Sequence, residues 1–287
     1  MANKIEINPT DRNKIKLNII GDNNVIIIKK MLEGTRGQIS VSLSGNNCSI
    51  VLDEGITVGG CLNIVAGQVH PNFGLIENTH IYIGKYTSFE STTIITFNSN
   101  SSIEIGERCM FSYGINVYNT DAHPMIDAKN GNIINKVKAL KIGDHVWIGA
   151  NATILKNTYV PDDCIVGWGS IVNSKSSYPP LKGCIIAGNP AKVVKSGITW
   201  DSNGSNGYIQ NTGITAQISE KAADIIEHTH FTMQTENVAF RSPNRFLYKI
   251  WKHLNKHVAE FKTKPRTFYN QIRYKLWKHL LKKYVNN

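Results

Sequence analysis

The sequence predicts an all-β solenoid, built from parallel strands, that is followed by a basic α-helical extension at the C-terminus. Three observations predict this fold. Aliphatic residues recur every six positions in the middle of the chain, one long insert interrupts that repeat, and Lys and Arg concentrate after residue 237. A chain of 287 residues that is 41% hydrophobic is also long enough to bury a sizeable core.

A six-residue period runs without a slip from residue 142 to residue 176. The first position of each repeat is aliphatic: Ile142, Ile148, Ile154, Val160, Val166 and Val172. The position four residues later is mostly small: Val146, Ala152, Thr158, Cys164, Ser170 and Ser176. This period fits no helix, but it fits a short strand and a corner repeated three times in a coil of ~18 residues. We therefore expect both sets to point inward, with Cys109 and Cys164 as buried packing residues.

The pattern divides the chain into four segments. Weaker traces of the repeat predict β-rich coils or strands over 1–72, and the main β-helix is predicted over 73–197. The insert must leave this β-helix as a loop at 118–141, and long ejected loops are usually functional. Gly, Ser, Asn and Thr over 198–237 predict a linker or cap, and two amphipathic basic helices are predicted over 238–287.

The net charge of +11 is confined to one part of the chain. From residue 238 onward there are 13 Lys and Arg against one acid, whereas the first 237 residues carry a net charge of −1. We therefore do not expect the main body to bind nucleic acid. For 238–287 four roles stay open: peripheral docking on an anionic membrane, packing against the solenoid or other subunits, capture of an acidic polysaccharide, and, least favoured, binding of nucleic acid.

Two further features concern the compartment. No apolar run approaches the ~18–20 residues that span a bilayer, and the polar start has no secretory signal pattern. Five Cys without a C-x-x-C pair suggest neither a structural zinc nor a redox site. We expect a cytoplasmic protein; if the membrane-docking role of 238–287 holds, the protein is peripheral on the inner face of the membrane.

Three motifs occur in order along the chain: Asn-Thr-Asp-Ala-His-Pro at 119–124, His-Val-Trp-Ile-Gly-Ala-Asn at 145–151 and Ala-Gly-Asn-Pro-Ala-Lys at 187–192. Together with the aliphatic-Gly-x-x-small-x repeat, they resemble the hexapeptide-repeat acetyltransferases over about residues 80–200. The branch they resemble comprises bacterial capsular and sialic-acid polysaccharide O-acetyltransferases. The resemblance implies a left-handed parallel β-helix, acetyl-CoA as the acetyl donor, no metal, and homotrimers with active sites between adjacent solenoids.

By this resemblance His123 matches the catalytic base, and a neutral imidazole can take a proton from a hydroxyl. Trp147 matches a tryptophan beside the acetyl group, although it could also be an exposed aromatic at a coil corner. Backbone N–H groups near Trp147 and Gly149 are expected to stabilise the oxyanion. Asp121 either orients the imidazole or caps the loop through its own backbone.

The expected cofactor contacts follow the same resemblance. Ala150 and Trp168 are one coil apart and match positions that touch the cofactor, although family members usually have a small residue where Trp168 stands. Basic residues that meet the adenosine phosphates match Lys192 and Lys195, and Lys175 is a weaker candidate. The full expected set is Trp147, Gly149, Ala150, Trp168, Lys175, Lys192 and Lys195.

The resulting hypothesis is direct acetyl transfer from acetyl-CoA to a sugar hydroxyl of a bacterial surface polysaccharide. The alternative is an N-acetyltransferase that acts on a nucleotide-linked amino sugar. A carbonic anhydrase of the same fold would need two zinc-binding His close in sequence at a suitable interval, and no such pair occurs. A non-catalytic scaffold is the remaining rival, and the identity of the acceptor stays open.

Overall fold

The computed structural model describes residues 2–68, 74–176 and 181–202. The helices predicted at 238–287 and most of the linker predicted at 198–237 lie outside the described residues. Across the described ranges, the strands are stacked coil upon coil, and the one helix is a short 3-10 helix, Pro9–Lys14. None of the helical segments in these ranges has the length and apolarity needed to cross a bilayer.

The first sheet forms one long side of the solenoid. All of its strands pair in parallel with the strand one coil away. In spatial order they are β1 (Lys4–Ile7), β3 (Val25–Ile28), β5 (Ser49–Leu52), β8 (His80–Ile83), β10 (Ser102–Ile105), β13 (Ala139–Ile142) and β16 (Tyr159–Val160).

The second sheet covers the rest of the solenoid. Its strands are β2 (Ile15–Ile20), β4 (Gln38–Asn46), β6 (Thr57–Ala66), β7 (Ile76–Glu77), β9 (Ser88–Thr96), β11 (Met110–Phe111), β12 (Ile115–Tyr118), β14 (Trp147–Ile148), β15 (Thr153–Leu155), β17 (Ile165–Val166), β18 (Ile171–Val172), β19 (Cys184–Gly188) and β20 (Ala191–Ser196). The early strands are long: β9 pairs with both β11 and β12. From β11 onward each coil therefore has three short strands separated by corners.

The register fixes the coil length. Trp147 pairs with Ile165 in the next coil, 18 positions on, as the repeat predicts. Across the insert the same side advances by 37 positions, from Met110 to Trp147. The predicted loop therefore adds about one coil of chain without disturbing the pairing, and it runs from residue 119 to residue 138 between β12 and β13.

The inward positions are those that the repeat predicts. All six repeated aliphatic residues, from Ile142 to Val172, are fully buried, and so are the small residues that follow them. Burial of each aliphatic side chain stabilises the fold by about 1.5–3 kcal/mol. Cys109 and Cys164 are buried packing residues, as expected. The predicted nearly all-β fold of parallel strands is confirmed.

Candidate active site

The coils from β11 onward have three sides, which give each candidate residue a definite place. Side 1 contains β13 and β16, side 2 contains β14, β17 and β19, and side 3 contains β12, β15 and β18. Residues 143–146 form the corner between sides 1 and 2, and 149–152 form the corner between sides 2 and 3. Residues 156–158 form the corner between sides 3 and 1, where the loop 119–138 also leaves the solenoid.

Trp147 projects outward from side 2. It pairs with Met110 and Ile165, and its neighbour Ile148 fills the core, so strand alternation directs the indole to the outside. The residue is 37% exposed. We call this outer surface of side 2, with the corner that follows it, the tryptophan face.

Gly149 is required by close packing between coils. A Cβ at this position would lie 2.8 Å from the carbonyl oxygen of Val166 and 2.9 Å from the backbone nitrogen of Trp168. Any larger residue would push the next coil away. The lack of a side chain at Gly149 therefore allows the backbone at Trp168, in the next coil, to pack closely against it.

An exposed aromatic edge runs along the corner between sides 2 and 3. Ala150 is buried there, and its carbonyl accepts a hydrogen bond from Gly169 in the next coil at 2.9 Å. Trp168, one coil on, is 77% exposed. Tyr113, one coil back, is also exposed, and its carbonyl accepts from Asn151 at 2.8 Å. Tyr113 and Trp168 therefore occupy the corner positions one coil before and one coil after the small, buried Ala150.

Two of the three candidate lysines lie next to the tryptophan face, in the strand that follows β19. The antiparallel strand β20 folds back on β19, where Lys192 pairs with Ala187 and Lys195 pairs with Ile185. Both lysines are exposed. Lys175 lies apart from them: it follows β18 in a turn held by Asn173, at the corner between sides 3 and 1.

His123 lies in the loop 119–138, which we call the histidine loop. The loop is a short hairpin in which Ile126 and Ile133 form an antiparallel bridge. Its base is anchored by Asn119, which is fully buried and donates to the carbonyls of Ser102 at 3.0 Å and Lys138 at 2.8 Å. Four large apolar side chains of this loop are exposed: Met125, Ile126, Ile133 and Ile134.

The backbone at His123 is held on both sides. Its N–H donates to the carbonyl of Asp121 at 2.6 Å, and its own carbonyl accepts from the side-chain amide of Asn135 at 2.9 Å. The preceding residue, Ala122, has a positive φ of 61°. The loop therefore presents His123 from a tight, hydrogen-bonded turn, and the residue is exposed.

The Asp121 carboxylate fastens this turn to the solenoid. It accepts from the ammonium of Lys156 and from the amide of Asn135, and Lys156 also donates to the carbonyl of Asn135 at 2.8 Å. Partial burial by itself would raise the pKa of Asp121, but these donors outweigh it and hold that pKa below its ordinary value. The carboxylate of Asp121 therefore fixes the loop through the side chains of Lys156 and Asn135, which is neither of the two expected roles, and those two roles stay predictions.

The expected oxyanion donors are already used inside the solenoid. The backbone N–H of Trp147 donates to Cys164 at 2.9 Å, and that of Gly149 donates to Val166 at 2.8 Å. A backbone N–H has one hydrogen to give. The N–H groups of Trp147 and Gly149 themselves are therefore engaged in the ladder between coils, and the predicted oxyanion contact needs another donor near them.

His145 stands two residues before Trp147, at the corner between sides 1 and 2. Its ring nitrogen Nδ1 lies 2.9 Å from a carboxylate oxygen of Asp163. The indole of Trp200 stacks on the imidazole with ring centroids 4.2 Å apart and an angle of 4°. The same indole lies 6.0 Å from the ring of Trp147.

The residues that the structure describes contain no group of three or more His, Cys, Asp or Glu arranged to hold a metal ion.

The site residues thus fall into two sets on one chain. The tryptophan face carries Trp147, Gly149, Ala150, Trp168, Lys192 and Lys195. The corner between sides 3 and 1 carries His123, Asp121 and Lys175. In a three-sided coil this corner lies opposite side 2. The structure therefore brings together the residues within each set and places the two sets on opposite sides of the coil.

Sequence similarity to a known protein assigns the chain to a family. No family model matches the chain. The polysialic acid O-acetyltransferase of Neisseria meningitidis is 33% identical over 202 residues, which are 69% of this chain and 85% of that protein. The chain belongs to the hexapeptide-repeat acetyltransferases.

Two solved structures agree with this assignment. The polysialic acid O-acetyltransferase OatWY is 27% identical, covers 76% of this chain and 96% of its own, and has a TM-score of 0.52. The polySia specific acetyltransferase NeuO shares the fold at 22% identity with a TM-score of 0.55, over 73% of this chain and 99% of its own. The predicted resemblance to this family is confirmed, whereas the roles of the individual site residues stay predictions.

Several residues of the acetyltransferase were not apparent from its sequence. Lys156 and Asn135 hold the histidine loop, yet they lie 21 positions apart and no repeat or motif links them. Trp200 lies in the segment predicted as linker or cap. Its single signal is the presence of a large aromatic residue in a stretch that is otherwise rich in small polar ones.

Proposed function

We propose that the chain transfers an acetyl group from acetyl-CoA to a sugar hydroxyl of a bacterial surface polysaccharide. The observation that carries this proposal is the 33% identity to a polysialic acid O-acetyltransferase over 85% of that protein. The tryptophan face supports it, because it offers an aromatic site followed by two lysines along one edge. An extended donor with a phosphorylated end fits such an edge.

The donor lies along the corner between sides 2 and 3 in this proposal. The pantetheine arm runs past Ala150, with the indole of Trp168 against it. The adenosine phosphates meet Lys192 and Lys195, which are exposed and carry charge of the right sign. The acetyl thioester then reaches Trp147, three positions before Ala150.

His123 acts as the general base. It takes the proton from the sugar hydroxyl as that oxygen attacks the thioester carbonyl, and a tetrahedral oxyanion forms. Collapse of the intermediate breaks the C–S bond, and the imidazolium returns the proton to the departing thiolate. No covalent enzyme intermediate is required. Since the backbone N–H groups at Trp147 and Gly149 are engaged, we assign the oxyanion contact to the indole N–H of Trp147.

The active site requires two copies of the chain. His123 and Trp147 lie on opposite sides of one coil, so the histidine loop of one copy must approach the tryptophan face of its neighbour. The exposed apolar side chains of the loop suit burial at such an interface. We propose a homotrimer in which each of the three interfaces contains one site, and equilibrium sedimentation of the full chain tests its size.

An assay with labelled acetyl-CoA tests the reaction. The acceptors are polysialic acid, other capsular polysaccharides and nucleotide-linked amino sugars, and the controls are His123→Ala and Trp147→Phe. The proposal predicts alkali-labile label on a polysaccharide and loss of transfer in His123→Ala. Alkali-stable label on the nitrogen of an amino sugar would instead support the N-acetyltransferase alternative.

A further inference from the structure

Trp200 follows β20, the last strand among the described residues, and its contacts tie it to the solenoid. The N–H of Ile198 donates to the carbonyl of Gly183 at 2.9 Å, which brings the chain back to the corner between sides 1 and 2. The indole N–H of Trp200 then donates to the carbonyl of His145 at 2.8 Å. Together with the parallel stack on the imidazole, these contacts fix both the position and the tilt of the indole.

His145, on which Trp200 stacks, is itself held by hydrogen bonds to its backbone and to its ring. The backbone N–H of His145 donates to the carbonyl of Glu107 at 2.7 Å. The imidazole is bonded to Asp163, and both side chains are less than one-fifth exposed. A ring fixed from its backbone and from its Nδ1 atom has little freedom to turn. The coil therefore fixes the position of the His145 ring, and that ring in turn fixes the position of the stacked Trp200 indole.

The ring of Trp200 also lies beside that of Trp147. The two indoles are 6.0 Å apart at an angle of 46°, which is within the range of favourable tilted aromatic pairs. Trp147 is more than one-third exposed and stands on a strand of two residues. A side chain in such a place would otherwise sample several rotamers. The neighbouring ring of Trp200 restricts the rotamers of Trp147 on the side nearest His145.

We propose that Trp200 is a positioning residue for acetyl transfer. It holds the indole of Trp147 in the orientation that receives the acetyl thioester, and it screens that side of the thioester from water. This inference rests on the proposed role of Trp147 at the acetyl group. Trp200 acts through Trp147 and touches no reacting atom.

Steady-state kinetics on the full chain test this role. The variants are Trp200→Ala, Trp200→Phe and, as a matched control on the adjoining strand, Val194→Ala, whose side chain is exposed. Trp200→Ala should lower kcat/KM for acetyl-CoA by about tenfold, because a displaced Trp147 indole loses its contacts with the thioester and the oxyanion, and it should leave KM for the polysaccharide unchanged. Trp200→Phe keeps a ring but loses the N–H donor, so its kcat/KM should fall by only about threefold. Val194→Ala should behave as the wild type.

The outcomes separate this inference from the function on which it rests. If the wild type transfers no label to any polysaccharide, the proposed function fails, and if Trp147→Ala keeps full activity, the role of Trp147 on which this inference rests fails. If Trp147→Ala is inactive while Trp200→Ala has wild-type constants, the role of Trp200 alone is overturned. Two other results would also overturn the positioning role and show that Trp200 is merely structural. One is an equal rise in KM for both substrates. The other is a lowered melting temperature of Trp200→Ala together with wild-type kinetics at temperatures where the variant is folded.

Discussion

The anchor of the histidine loop gives a prediction that needs no substrate. Lys156→Met removes the ammonium that binds the Asp121 carboxylate and the Asn135 carbonyl. The Lys156 side chain is 19% exposed and that of Asp121 is 33% exposed. The burial of this ion pair is therefore intermediate between that of a buried pair and that of a surface pair. Charge-assisted hydrogen bonds contribute about 1.5–3 kcal/mol and exposed pairs about 0.2–1 kcal/mol. We therefore expect the variant to lose about 1–2 kcal/mol of local stability.

Hydrogen exchange measures that loss directly. The amides of His123 and Met125 are bonded to Asp121 and Asn135, both of which Lys156 holds. Their exchange should accelerate by about 5- to 30-fold in Lys156→Met if they exchange by local opening. Core amides of β15 on the adjacent coil should keep their rates. The control is Lys141→Met, because the pair of Lys141 with Glu104 is more than half exposed on both sides. Unchanged exchange at His123 and Met125 would refute the anchoring role.

Three further predictions concern stability and accessibility. Asp53 accepts from Lys29, Tyr82 and the Glu54 amide; burial alone would raise the pKa of Asp53, but these donors lower it. Its stabilisation is thus present above the unfolded-state pKa of ~3.9 and lost as pH falls through the lower folded value. Urea unfolding of Asp53→Asn should show a loss of about 1–3 kcal/mol at pH 7 that shrinks at pH 3, and an equal loss at both pH values would contradict this. Gly149→Ala should lower the free energy of unfolding by about 1–3 kcal/mol because its Cβ overlaps the next coil; calorimetry giving a wild-type melting temperature would rule out that packing. Four of the five cysteines are buried, and burial raises the pKa of Cys109 to about 12, so a thiol reagent at pH 8 should label only Cys61 in the folded protein; rapid labelling of Cys109 would contradict this burial.

The fold could be predicted from local spacing because each six-residue repeat corresponds to one strand and one corner. Ile142 and Val172 fill equivalent places in different coils, and no long-range information is needed to see it. The loop followed from the single break in that spacing. In contrast, the partners of a loop residue depend on which corner the loop crosses. This is why Lys156 at Asp121 had to be seen in three dimensions.

The candidate site was predictable only in part for the same reason. Motif order identified His123 and Trp147, but the sequence does not show that they lie on opposite sides of a coil. The repeat also does not show which backbone N–H groups are engaged between coils. At Trp147 and Gly149 the ladder between coils uses both. Trp200 was missed because a residue outside the repeat has no register from which its neighbours could be inferred.

Subunit complementation tests the two-copy active site most directly. His123→Ala and Trp147→Ala chains, each inactive alone, are unfolded together in equal amounts and refolded into mixed oligomers. If each site takes His123 from one copy and Trp147 from its neighbour, random mixing leaves about a quarter of the sites intact, and about a quarter of the wild-type activity should return. No recovery in mixed oligomers that assemble normally would contradict a site shared between copies.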